Sequence, residues 1–204
     1  RALYKLLAEE GFAVKVPEGI EAEPITGKSP RAPERQKFLG KLLKPAGIEL
    51  DDLSEGARDA LENYARFVLD SGDAPSASWN HPLVEIARAV ESEMDATVGG
   101  VKGFQPLKTM ALGEKAHWLK QRKDNESLRK ALSGRGLSPK YFLDELPDSL
   151  LELASIRKVT GYAHGKAIAR NATKTDAEKA LAIALTGPNA LVRALVSQRK
   201  NLSE

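Results

Sequence analysis

The residues of this chain best suited to chemistry on a phosphate are Arg157 and His164, with six residues between them. They sit in Ser155-Ile156-Arg157-Lys158-Val159-Thr160-Gly161-Tyr162-Ala163-His164-Gly165. A guanidinium holds a phosphate through parallel N–H donors and offsets charge that develops on its oxygens. A neutral imidazole takes a proton from a hydroxyl, and an imidazolium returns one to a leaving oxygen. Lys158 would add positive charge, and Tyr162 offers a ring that either stacks on a base or plugs a helix junction. A purely structural role is also open to the pair: Arg157 bonded to a helix carboxylate, His164 capping a broken helix.

Other chemistries are poorly served. The chain has no cysteine, which excludes disulfides, thiolate metal sites and cysteine nucleophiles. His81, His117 and His164 are scattered, with no carboxylate at ligand spacing, so no metal or other cofactor is expected. No Gly-x-Ser-x-Gly elbow and no dinucleotide fingerprint occur. Gly99-Gly100-Val101-Lys102-Gly103 lacks the Gly-Lys-Ser/Thr spacing of a phosphate loop and reads as a connection between helices.

The elements that must position Arg157 and His164 read as helices. Pro147 opens a leucine-rich one, Leu150-Leu151-Glu152-Leu153-Ala154-Ser155-Ile156, that runs into the motif. Thr175-Asp176-Ala177-Glu178 has the form of a capping box for the next, with Ala177, Ala180, Leu181 and Ala184 on one face. Leu191, Val192, Leu195 and Val196 continue as a last helix. Upstream, Leu83, Ile86, Ala87, Val90 and Met94 make one apolar stripe. Leu107, Met110, Ala111, Glu114 and Trp118 make another, starting near Pro106, in which Glu114 is the polar interruption. Its carboxylate either reaches solvent at the edge of the stripe or faces a site between helices. Lys120, Arg122 and Lys123 form a basic cluster at that helix's end, where cations offset the dipole.

The first 75 residues differ in kind. Leu3, Leu6 and Leu7 suggest a short helix, Phe12 to Val16 a strand, and Pro17, Pro24, Pro30 and Pro33 a linker. A short helix is expected from Arg35 to Leu43 and a longer one from about Ser54 to Leu69. Ser71-Gly72-Asp73-Ala74-Pro75-Ser76 is the expected boundary between an N-terminal segment, 1–75, and a helical domain, 76–204. A start at Arg1 rather than Met is expected of a piece of a longer polypeptide, the first segment being the tail of a preceding domain. At 204 residues, 42% hydrophobic and 29% charged, the composition is that of an ordinary globular chain, and a cytoplasmic setting is expected. No signal peptide is evident, and no apolar run approaches the ~20 residues that span a bilayer. The net charge of +3 is uneven: residues 1–75 sum to −3 and residues 76–204 to +6. A modestly basic C-terminal part suits either solvated helix faces or a polyanion such as RNA.

Arg157, six residues, His164 and Gly165, set between two helices of a four-helix pattern, resemble the HEPN family of all-helical domains. The stripe from Leu83 is similar to that family's first long helix, and Met110-Ala111-Leu112-Gly113-Glu114 to its second. The resemblance covers roughly residues 80–187. It implies an all-α, antiparallel HEPN-like bundle, which the smaller N-terminal helical segment and Pro-rich linker read from the residues would precede. It also implies a metal-independent endoribonuclease, with His164 as acid/base and Arg157 as phosphate clamp. Lys158, Tyr162 and Glu114 would contact substrate, Lys158 standing where active members often carry Asn, Asp or His. Such members commonly dimerise and serve as toxins or defence effectors, so a homodimer, RNA and an antitoxin or larger effector domain are the expected partners. A non-catalytic HEPN module that dimerises or binds nucleotide or RNA is the alternative. A protein-binding adaptor resting on the small-residue face from Ala177 to Ala184 is the third.

Overall fold

The computed structural model describes residues 32–71, 78–159 and 171–202. Among them every regular element is helical, and the fold is an all-α bundle. His164 and Tyr162 lie outside the described residues, as do the helix and strand expected before residue 17. Eight α-helices are described: α1 (Ala32–Leu43), α2 (Glu55–Ser71), α3 (Asn80–Val98), α4 (Leu112–Lys120), α5 (Glu126–Ser133), α6 (Leu146–Val159), α7 (Lys174–Leu181) and α8 (Leu191–Lys200). The stretch from Pro106, expected to be helical throughout, forms a short 3-10 turn, Gln105–Thr109, before α4 begins.

The central element is α3. Eleven of its nineteen residues are buried, well beyond the single stripe that an amphipathic surface helix shows. Leu83, Ile86, Ala87, Val90 and Met94 are all inside, as their spacing predicts. So are Glu85 and Ala89 on other faces. The reason is that α3 is packed from several sides, by α2, α6, α7 and α8. Phe67 of α2 meets Trp79, just before α3, edge to face with ring centroids 5.5 Å apart.

The boundary expected near residue 75 does not divide the core. Leu39, Leu43, Ala57, Leu61 and Ala65 share one apolar cluster with residues of α3, α4, α6 and α8. The compact unit starts at Glu34. The composition shift at 71–76 falls in the chain between two helices that pack on each other, α2 and α3.

A buried carboxylate ties the two ends of this unit together. Glu93 of α3 is fully enclosed and accepts from Arg199 of α8 at 3.2 Å and from the Ser54 backbone N–H that precedes α2. Arg199 also donates to the Asp52 carbonyl, and Lys200 reaches the Asp52 carboxylate at 2.6 Å. Lys200 holds the Asp52 carboxyl below its ordinary range, helped by the Glu49 N–H.

The cap of α7 falls two residues earlier than expected. Thr173, not Thr175, accepts from the Asp176 N–H at 3.2 Å, while Asp176 accepts from the Thr173 N–H at 2.9 Å. Both threonines satisfy the local pattern. The Thr173 start leaves Ala177, Ala180 and Ala184 buried, with α7 and its continuation packed against α3. The small-residue face that might have served a partner protein is therefore consumed inside the fold. Within Lys174–Lys200 an 18-residue window reaches a mean hydropathy of 1.4, enough by length and composition alone to cross a membrane. In the fold that stretch is two helices broken at Gly187 and Pro188, both laid on α3. The break needs a glycine: a Cβ at Gly187 would lie 2.5 Å from the Ala182 carbonyl oxygen that its own N–H bonds.

Candidate functional site

Helices α4 and α6 pack side by side and leave a cleft of about 520 Å³ between one face of each. That volume falls within the range of small-ligand sites. Its walls follow from helical spacing. On α6, Leu151, Ala154, Ser155 and Lys158 recur at the three- and four-residue intervals of one face, while Leu150 and Leu153 turn the other way into the core. On α4, Lys115, Ala116, Trp118 and Leu119 are buried, which turns Glu114 and His117 outward, three residues apart, onto the cleft. Gly113 and Ala154 face each other closely: a Cβ at Gly113 would stand 3.6 Å from that of Ala154, ordinary contact.

Three of the residues singled out from the sequence converge here. Arg157, Lys158 and Glu114 all line the cleft. Glu114 also accepts from the Ala111 N–H at 2.9 Å, satisfying one of the donors that a helix start leaves without a partner. The reciprocal half of a capping box is missing because Ala111 has no side-chain acceptor. The functional and structural readings of Glu114 thus coexist in one side chain. Lys158 is exposed at the rim.

Arg157 is not simply presented to the cleft. Its Nη1 lies 3.5 Å from Oε1 of Glu91 on α3, so the expected helix carboxylate exists. Burial pushes the Glu91 carboxyl above its ordinary range, against the opposing pull of Arg157, Lys115 and the Leu112 N–H. One turn along α3, Asp95 receives Lys115 of α4 at 2.6 Å; Lys115 is 2% exposed, a lysine drawn into the core by its partner. Two carboxylates of α3 therefore brace the cleft from behind, one on each of its helices.

Two of the three cations clustered at the end of α4 have partners. Lys120 pairs with Asp148 at 2.7 Å, and Arg122 lies 4.3 Å over the Trp118 ring. The carbonyl of Lys123 accepts from Arg129.

His117 is the residue that sequence reading passed over. The sequence presents it only as a metal ligand, for which it lacks a partner at i+4. Its relation to Glu114 three residues earlier was the available signal. Among the described residues, no hydrogen bond, ion pair or ring contact is formed by its ring or by the Lys158 ammonium. Among the described residues no group of three His, Asp or Glu could hold a metal ion. No family model matches the chain, and neither a curated protein nor a solved structure matches it.

Proposed function

We propose that this chain is a metal-independent endoribonuclease of HEPN type, working as a toxin or defence effector. The supporting observation is the meeting of Arg157 and Lys158 in a cleft of nucleotide dimensions. The first turn of α4 lines the same cleft, and the backbone N–H groups of a helix start favour anions. In this reading the guanidinium of Arg157 holds the scissile phosphate and offsets the charge that grows on its free oxygens. The ribose 2′-oxygen attacks phosphorus, the bond to the 5′-oxygen breaks, and His164 serves as acid/base for the protons that move. The products are a 2′,3′-cyclic phosphate and a 5′-hydroxyl.

A second reading has one observation in its favour. Arg157 already has an anionic partner in Glu91, which suits a module that binds RNA, or pairs with a second copy, without cutting.

Incubating the chain with total RNA in the presence of a chelator decides between them. Cleavage that disappears in both Arg157→Ala and His164→Ala supports the nuclease. Salt-sensitive binding without cleavage supports the binding module. Cleavage that survives both substitutions removes the assignment of these residues.

A further inference from the structure

The two walls of the cleft carry opposite charge. Arg157 and Lys158 line it from α6, and Glu114 lines it from α4, with His117 about one turn further along that helix. Among the described residues Glu114 forms no ion pair, although both cations border the same cavity. Its carboxylate takes one hydrogen bond there, from the Ala111 N–H to Oε2 at 2.9 Å. That bond holds the group in place at the start of α4 and leaves Oε1 without a partner among the described residues. Much of the remaining lining is apolar: Gly113 and Ala154 carry at most a Cβ, and Leu151 adds aliphatic surface. A base lifted out of its stack can lie on such a surface, and the His117 ring offers it a face to stack on.

We propose that the cleft selects the base beside the bound phosphate, and that Glu114 makes that base guanine. This deepens the reading given above and rests on it, in that Arg157 holds an RNA phosphate.

The choice follows from what each base offers on its Watson–Crick edge. A carboxylate only accepts hydrogen bonds, and its two oxygens have about four lone-pair sites, of which the Ala111 N–H uses one. Guanine places two donors side by side, the ring N1–H and the exocyclic amine. Adenine and cytosine place a ring acceptor beside their amine, and uracil flanks its single N–H with two carbonyls. Facing that edge, Glu114 gains two charge-assisted bonds from guanine and meets at least one opposing lone pair on every other base. Rejection of the wrong base is strong because it leaves a polar group of the site unpaired. The cations on the far wall keep the phosphate away from the carboxylate, so base and phosphate are held at opposite sides of one cavity.

The test measures binding of 2′-fluoro pentanucleotides, which lack the attacking hydroxyl and cannot be cut. Each is uracil throughout except at the centre, which is guanine, hypoxanthine, adenine, cytosine or uracil. The wild-type chain should bind the guanine probe at least about tenfold more tightly than the adenine, cytosine and uracil probes. Hypoxanthine keeps the N1–H but lacks the amine, and should fall between. Glu114→Gln keeps an oxygen for the Ala111 N–H, and so keeps the helix start, but turns an NH2 donor toward the base; it should level the five affinities. Arg157→Ala should weaken all five alike. Wild-type affinities that do not depend on the central base overturn the guanine site and leave the phosphate site standing. A guanine preference that survives Glu114→Gln overturns the role of Glu114. A wild-type chain that binds none of the probes overturns the base contact, whether or not it cuts RNA. A Glu114-dependent guanine preference, with no cutting of the matching ribo-oligonucleotides, supports the base contact and overturns the nuclease, so the two fail separately.

Discussion

Arg157 and Glu91 lie 3.5 Å apart, Nη1 to Oε1, across the junction of α6 and α3. The pair holds Arg157, which lines the cleft, from behind, and its carboxylate has a shifted pKa. Burial raises its pKa more than Arg157, Lys115 and the Leu112 N–H lower it, and Asp95 adds to the rise. A carboxyl whose folded pKa exceeds its unfolded one contributes stability that is complete below the unfolded value and is lost as pH rises through the folded value. Glu91→Gln removes that titration. The stability of the wild type should therefore decline relative to Glu91→Gln as pH rises from about 4 toward neutrality. Urea melts of both chains at several pH values check this; a gap that moves the other way contradicts it. The same variant should bind RNA more tightly, since Arg157 no longer faces a competing anion.

Lys115 and Asp95 give an asymmetric prediction. Lys115 is buried while the Asp95 side chain is 34% exposed. Asp95→Ala strands an ammonium in the core and should cost about 3 kcal/mol. Lys115→Met removes the buried charge, keeps the apolar stem, and leaves a carboxylate that water can reach, so its cost should stay below about 1.5 kcal/mol. Chemical denaturation of the two variants measures the difference. Equal losses would mean that the pair, rather than burial of the lysine, sets the cost.

Ala154 offers a way to close the cleft without touching a charged group. It lies on the α6 wall, close to Gly113 of α4. Ala154→Leu should fill the space between the helices while Arg157, Lys158 and His117 remain. RNA affinity should fall at least about tenfold, equivalent to about 1.4 kcal/mol, with the melting temperature little changed. A filter-binding titration and a thermal melt together decide it. Unchanged affinity would place the RNA elsewhere on the surface.

Much of the architecture was legible because helical signals are local. The stripe of Leu83, Ile86, Ala87, Val90 and Met94, Pro147 near the start of α6, and Pro45 and Gly47 after α1 each act within one or two turns of chain. The cap of α7 shows the limit of such signals. Thr173-Lys174-Thr175-Asp176 and Thr175-Asp176-Ala177-Glu178 satisfy the same rule, and the chosen register is the one whose alanines are buried in the fold.

The cleft was half legible. Arg157, Lys158 and Glu114 could be picked out by residue type and spacing, and a carboxylate partner for Arg157 could be anticipated in kind. Glu91 as that partner, and His117 as part of the cleft wall, could not. Both lie tens of residues from Arg157 in the chain, and nothing local says which faces of α3, α4 and α6 meet. That is decided by burial of the whole set: α3 is enclosed from several sides, Lys115 follows Asp95 inward, and Trp118 takes the inner face of α4. The sequence by itself determined that the chain is helical and that Arg157 sits at a helix end. Only tertiary packing decided what faces it, because side chains distant in sequence become neighbours through the apolar surface they jointly remove from water.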